Sequence, residues 1–586
     1  MKQIKLTVLL TLLMSMVGAK ALAYVALIDG IYYNFTETEA IVTYYSKSHN
    51  RLNLYSGDIV IPSKVTYNNI EYPVTTIGDY AFSNSASNIT SVTIPSSIKT
   101  IGSYAFSDCS GLTTINIADG VTTIGEYAFK DCWELTSIVI PNSVVRFEKN
   151  AFDGCEKLHT VELPNTIAEI SDGMFQGCRS LASISIPNSV TTIGEGAFYM
   201  SALKTITIPD NVKTIKSIAF AQSGLTSVTL SNGIEEIGPR AFDCYQLSDI
   251  YIPNASYIGT NAFSSVSHVR FGAGVSNIKP DAFDKSKLTT IVVDDDNPIY
   301  DSRDNSNAVI ETETNKLVLG CSTTIIPYSV TAIGQLAFSH IPYMFMITIP
   351  DGVTSIEYGA FEYCISLRSI EIPNNVTQIG EYAFAYCTSL TTITIPNSVT
   401  NIGQYAFDRT PWLTNHEDGL VYAGKVAYTY KGTMPEVLSL NLDEGTLGIA
   451  DWAFSNFENL TAISLPNTLE KIGEYAFYGC TNLMTIIALN PEPADILETT
   501  FDADTKQKGT LYVPTGAVKK YKAADIWKEF VNIMEYDPSS IDVQSQDERD
   551  TISAIYDLNG KRLEQLQSGL NIVRMNNGTT KTIVIK

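Results

Sequence analysis

The chain has 586 residues, 45% hydrophobic and 17% charged, with mean hydropathy +0.05. This excludes wholesale disorder, because enough apolar surface exists to offset chain entropy. Its 39 basic and 62 acidic residues leave a net charge of −23, which argues against nucleic acid or anionic membrane as partner. The nine cysteines are odd in number and cannot all pair within one chain.

Residues 1–23 read as a signal peptide. Lys2 and Lys5 form the basic start, Leu6 to Val17 the apolar stretch, and Ala21-Leu22-Ala23 the small residues before cleavage. No later apolar run reaches the length of a transmembrane helix, so an exported chain without a transmembrane span is expected. Residues 24–75 are rich in Tyr, Val, Thr and Ile, as in Ile41-Val-Thr-Tyr-Tyr45 and Asp58-Ile-Val-Ile61. They read as a β-rich cap over the first unit of the repeat array that begins at residue 76.

Residues 76–488 repeat. Ala-Phe recurs at Phe82, Phe106, Phe129, Phe152, Phe198, Phe220, Phe242, Phe263, Phe283, Phe338, Phe361, Phe384, Phe407, Phe454 and Phe477, with Met174-Phe175 filling one beat. The spacing is mostly 23 residues and drifts down to 20 near Phe283. One clean unit is Leu135-Thr-Ser-Ile138-Val-Ile140-Pro141-Asn-Ser-Val144, continuing to Ala151-Phe152 and Cys155. The template is L-x-x-I-x-I-P-x-x-V-x-x-I-G-x-x-A-F-x-x-C. Ile138 and Ile140 have the period of a strand with one buried face, and Pro141 ends it for want of an N–H. Val144 opens a second short extended piece. Glycine follows the next Ile in most units, as in Ile124-Gly125. Glu126–Cys132 is expected to make a short helical turn that seats Phe129. One unit cannot bury its apolar face alone, whereas stacked units bury a continuous column.

This template resembles the BspA-type leucine-rich repeat found on surface proteins of Bacteroidota and some protists. The resemblance implies an α/β repeat solenoid, mainly β, curved and right-handed, with a parallel sheet of short strands. It also implies a cell-surface or extracellular protein that binds other proteins or adheres to host matrix or other cells. A host extracellular matrix or cell-surface protein is the partner expected, met by a monomer.

The beat breaks twice, over 55 residues from Phe283 to Phe338 and over 47 from Phe407 to Phe454. Hairpin-like insertions are expected near 295–322, with Lys316-Leu-Val-Leu319 as one strand, and near 412–445, with Gly419-Leu-Val-Tyr422 and Val426-Ala-Tyr-Thr-Tyr430. They are either binding elements or divergent repeats with a decorative loop. Residues 489–536 read as the second cap, with a strand at Thr510-Leu-Tyr-Val-Pro514. An amphipathic helix is expected over Ala517–Phe530, burying Val518, Tyr521, Trp527 and Phe530. Residues 537–550 read as a polar linker, and 551–586 as a separate small β unit with hairpin turns at Asn559-Gly560 and Asn577-Gly578. That last stretch resembles the C-terminal sorting domain of the Bacteroidota type IX secretion system.

No catalytic constellation emerges: there is no H-E-x-x-H, no G-x-S-x-G elbow and no P-loop, so neither an enzyme nor a cofactor is expected. Gly272-Ala-Gly274 is expected to serve a turn. Cys109, Cys132, Cys155, Cys178, Cys364, Cys387 and Cys480 each stand three residues after the repeat Phe, a repeat position rather than a disulfide framework. Buried thiols acting as small apolar groups are expected, with no metal, because thiols in file cannot form a tetrahedron. The acidic run Asp294-Asp295-Asp296 with Asp301 and Asp304 is either a solvated loop or a site for a hard cation such as calcium.

The outward strand positions flank the first Ile of each repeat. They are mostly Ser and Thr, as in Ser183/Ser185, Thr205/Thr207, Ser227/Thr229 and Thr392/Thr394. The pattern changes at Asp249/Tyr251 and His268/Arg270, where acidic, aromatic and basic groups fall on adjacent units. Tyr and Arg are types in which binding energy concentrates, so these four residues are the candidate ligand contacts. The alternative function is capture of glycans or peptides for nutrient uptake. Aromatic platforms would favour a glycan, and of that kind only Tyr251 is found on these positions.

Overall fold

A computed structural model describes residues 25–44, 46–47, 50–51, 55–85, 88–433, 435–536, 552–556, 562–564, 569–575 and 580–585. The signal peptide reading, the linker at 537–550 and the turns expected at Asn559-Gly560 and Asn577-Gly578 lie outside the described residues. The fold is a mainly β repeat solenoid with few helices, and the chain divides into two units, 1–301 and 302–586.

Most repeats contribute a rung with two short strands, whereas the stretches 181–187 and 344–350 form no strand and leave their rungs with one. In the first unit Thr114–Ile117 pairs in parallel with Ile89–Ile94, and Thr123–Ile124 pairs in parallel with Thr100–Ile101. The two sets of strands form opposite walls of the core, and the repeat phenylalanines fill the turn between rungs. Phe106, Phe129 and Phe152 are fully buried and stack at 5.2 Å with rings 2° and 4° from parallel. That separation is close to the strand spacing of about 4.8 Å, so the sheet sets the stacking distance. Gly125 is required by close approach: a Cβ there would lie 2.6 Å from the Gly102 carbonyl carbon of the preceding rung.

The segment that carries Phe129 is not the short helix expected. It is a run of turns with two residues in the left-handed region, Tyr127 (φ 53°) and Asp131 (φ 55°). The same two positions are left-handed in the preceding repeat at Tyr104 (φ 57°) and Asp108 (φ 60°). A non-glycine residue there costs on the order of 1 kcal/mol. The return is directional: Tyr104 N–H donates to Glu126 O at 2.8 Å and Asp108 N–H to Lys130 O at 2.8 Å, both on the next rung. Helical dihedrals would turn these donors back into their own segment. Stacking recovers more of the cost, since the Tyr80, Tyr104 and Tyr127 rings lie 4.8 and 5.0 Å apart.

The cysteines are all free and buried. They do more than fill space. Cys109 Sγ donates to Phe82 O at 3.2 Å, Cys132 Sγ to Phe106 O at 3.2 Å and Cys155 Sγ to Phe129 O at 3.1 Å, each reaching to the previous rung. Cys364, Cys387 and Cys480 repeat the bond in the second unit. Burial pushes the thiols of Cys109, Cys244 and Cys480 up to about 12. Alkylation of the native chain at neutral pH is therefore expected to label almost none of the nine, and denaturation without reductant to expose them all to reagent. Intact mass showing four disulfides would contradict this. The raised folded-state values also fix the sign of the pH dependence. The thiols contribute full stability below the unfolded value of about 8.5, and lose it as pH rises toward 12.

The first unit opens on an antiparallel set, Ala26–Ile28, Ile31–Phe35 and Ala40–Thr43, whose last strand runs parallel to Ile70–Ile77. Tyr55 lies 4.7 Å over Phe82 and ends the phenylalanine column. Its hydroxyl donates to Thr43 O at 2.6 Å and accepts from Tyr32 N–H at 3.0 Å.

In the second unit the expected hairpins are present: Val309–Glu311 pairs antiparallel with Lys316–Leu319, and Gly419–Ala423 with Val426–Lys431. The phenylalanine column there runs one rung past Phe477, to Phe501 at 4.9 Å. The helix expected over Ala517–Phe530 is broken. Val518–Ala523 is helical, Ile526 takes φ 66°, and Trp527–Glu529 is a single 3-10 turn. The break lets Tyr521, Trp527 and Phe530 all reach the core, with Trp527 Nε1 donating to Ala494 O at 2.7 Å, while Val518 is only partly buried. The strands Ile552–Tyr556, Arg562–Leu563, Gly569–Met575 and Thr580–Ile585 form an antiparallel sheet of their own.

Candidate functional site

Asp249–Ala255, His268–Val275 and Thr290–Val293 form a three-stranded parallel sheet. Register places Asp249 beside His268 and Tyr251 beside Arg270. Strand alternation turns all four side chains outward, with Tyr251 45% and Arg270 62% exposed.

The four form two pairs, and the second pair is tied to the acidic run. His268 Nδ1 lies 3.2 Å from Asp249 Oδ1. Arg270 Nε meets Asp294 Oδ1 at 2.5 Å, its guanidinium carbon sits 5.2 Å from the Tyr251 ring centre, and Tyr251 Oη donates to Asp294 Oδ2 at 3.2 Å. Partial burial, with the Asp294 carboxylate adding to it, pushes the Tyr251 phenol above its ordinary range. Asp294 thus restrains both the Tyr251 and the Arg270 side chains.

Gly272-Ala273-Gly274 does not turn the chain; it lies inside the strand His268–Val275. A Cβ on Gly272 would meet Pro253 Cα at 2.7 Å and the Tyr251 hydroxyl at 2.8 Å, so the glycine makes room for this tyrosine. With Asp294 engaged by Arg270 and Tyr251, the acidic run is not left as a free carboxylate cluster. Among the described residues no group of three or more His, Cys, Asp or Glu is gathered as a metal ion would require. Among the same residues no helix is long and apolar enough to cross a membrane.

The sequence pattern defining the BspA type Leucine rich repeat region (6 copies) matches residues 75–204, 191–302, 316–418 and 426–513. The chain belongs to this family. Among solved structures, it is similar to a leucine rich cell surface protein from Faecalibacterium prausnitzii. The two are 29% identical over 79% of this chain and 94% of that one, with a TM-score of 0.29. A leucine-rich repeat protein from Bacteroides ovatus is 23% identical over 80% of this chain and 95% of that one, with a TM-score of 0.31. The pneumococcal vaccine antigen PcpA is 16% identical over 88% and 99%, with a TM-score of 0.24. No curated protein matches the chain.

A second set of exposed apolar residues, in the second unit, was not singled out by the sequence pattern. The outward positions flanking Ile347 are Met346 and Thr348, and Ile325 occupies the same kind of position one rung earlier. Met346 is 78% exposed, and Ile325, Tyr328, Tyr343 and Phe345 are also exposed. The signal was available: the rule that selects Tyr251 also selects Met346.

Proposed function

We propose that this chain is an exported cell-surface protein that binds other proteins, as in adhesion to host matrix or to other cells, and carries out no chemistry of its own. The observation that carries the reading is the strip Asp249, Tyr251, His268 and Arg270, where exposed aromatic and charged groups replace the usual Ser and Thr. Asp294 fixes the two that contribute most to binding. A side chain already held in its bound geometry loses less entropy when a partner docks. Family membership supports a repeat face used for protein–protein interaction, and residues 1–23 support export.

The Tyr251→Ala/Arg270→Ala double variant is expected to weaken capture of the partner at least about tenfold, as losing two central anchors does. Its melting temperature should stay within about 2 °C of wild type, since surface changes rarely exceed 0.5 kcal/mol. The check is a pull-down of host matrix and cell-surface proteins by wild type, followed by affinity measurement with both chains. Capture by the double variant at wild-type strength would move the site off this strip.

A further inference from the structure

The break between Phe407 and Phe454 leaves a slot in the second unit. The core is continuous across it: Val426–Lys431 supplies the missing rung, and the Tyr428 ring lies 5.2 Å from Phe407. Being an extended hairpin strand, that rung has no Tyr-Ala-Phe turn. The outer aromatic column is therefore interrupted. Tyr405 packs on Tyr382 at 5.2 Å on one side of the gap, and Trp452 packs on Tyr475 at 4.4 Å on the other. Between them is a cavity of about 340 Å³ that both residues line.

The turn bonds are interrupted at the same place, although the Asp451 N–H still reaches Ile402 O at 2.9 Å. In the neighbouring repeats Tyr382 N–H donates to Gln404 O, Tyr386 N–H to Asp408 O and Trp452 N–H to Glu474 O, always to the next rung. Tyr405 and Arg409 hold the corresponding left-handed positions, φ 57° and 58°, and among the described residues neither N–H finds an acceptor. The Phe407 N–H is taken by the Tyr428 hydroxyl at 3.1 Å.

The charge is one-sided. Asp408 and Asp451 line the cavity and no cationic side chain does. Among the described residues the cation paired with Asp408 is Arg409, at 3.9 Å, and its guanidinium lies over Tyr386. Asp451 Oδ1 accepts the Glu474 N–H at 2.7 Å, and the Lys471 charge also acts on this carboxylate.

We propose that this slot is a binding site for an arginine side chain of a partner protein, with the guanidinium between Tyr405 and Trp452 and its N–H groups on Asp408 and Asp451. Tyr405 and Trp452 both line the cavity, and each packs on a ring of its neighbouring rung, so the slot offers aromatic faces to a flat group. A guanidinium is flat, stacks on aromatic faces and forks to carboxylates, whereas an ammonium is a point charge. A pyranose would also stack, but it brings no charge to the two carboxylates that line the cavity. The site is separate from the Asp249–Arg270 strip, and its test does not depend on that strip.

Saturation-transfer NMR on the full chain, with N-acetyl-L-arginine N-methylamide as probe, measures it directly. The lysine analogue and methyl β-D-glucopyranoside serve as comparators. Saturable binding of the arginine probe is expected, at least about fivefold tighter than the lysine analogue. Asp408→Asn and Trp452→Leu should each weaken it about tenfold, while Trp452→Phe, which keeps an aromatic wall, retains most of it. The Tyr251→Ala/Arg270→Ala chain should bind the probe as wild type does. Preference for the glucoside, equal binding of lysine and arginine, or arginine binding untouched by Asp408→Asn would each overturn the assignment.

Discussion

Phe129→Asp is expected to abolish cooperative unfolding of the first unit, while excision of residues 112–134, a whole repeat, leaves a shorter folded solenoid. Phe129 is fully buried with a parallel ring on each side. Removing a buried phenylalanine costs about 3–5 kcal/mol before any charge is counted. An aspartate adds the cost of a carboxylate with no partner, against a total stability of about 5–15 kcal/mol. Excision removes far more chain but breaks less. Leu135 takes the place of Leu112, and Ser137–Val139 faces the strand that Thr114–Ile117 faced, so each broken bond has a replacement at the new junction. Circular dichroism melting of both variants reads the difference. A silent point substitution alongside an unfolded deletion chain would mean that rungs are not interchangeable.

The second large effect concerns the C-terminus. Truncation at Asp537 should leave thermal stability unchanged, because the apolar cluster of Phe501, Tyr521, Trp527 and Phe530 and the last solenoid strand, Asn532–Tyr536, all precede the cut. On the proposal that residues 551–586 are a sorting signal, the same truncation should remove the protein from the cell surface of its own host. Surface exposure and the melting curve of the purified fragment separate the two roles. Normal display would end the sorting proposal, and loss of the last rungs around Phe477 would assign the segment to capping instead.

The sequence spoke clearly wherever one residue type served one purpose. The Ala-Phe beat, the Ile-x-Ile strands and the two hairpins are visible because burial demands apolar groups at fixed positions. It was silent wherever a position accepts several chemistries. Tyr55, Tyr428 and Phe501 all extend the core column, but none carries an Ala-Phe pair in register, so the beat does not reveal them. The left-handed residues were hidden for a different reason. Propensity assigns such dihedrals to Gly and Asn, whereas here Tyr, Asp and Trp adopt them because inter-rung bonds and ring stacking outweigh about 1 kcal/mol of strain. The cysteines were placed inside the core correctly, but their S–H bonds to the preceding rung needed coordinates. At the candidate strip the residues followed from strand alternation alone. The tie to Asp294 did not, since 24 residues separate it from Arg270.

The turn bonds also give the solenoid an electrical polarity. From Tyr80 through Phe129 to Asn261, the turn N–H groups that bond between rungs, those of the repeat Phe and its left-handed neighbours, point to the next rung, as Phe82 does to Ala105 and Phe152 to Met174. Peptide dipoles aligned in this way cancel along the array and leave partial charge at its ends, as they do in a helix. A regular stretch therefore presents a nearly neutral edge, however many repeats it has. The break after Phe407 leaves the Tyr405 and Arg409 N–H groups without an acceptor among the described residues. In such an array, a skipped turn is enough to concentrate field at one point along an otherwise uniform surface.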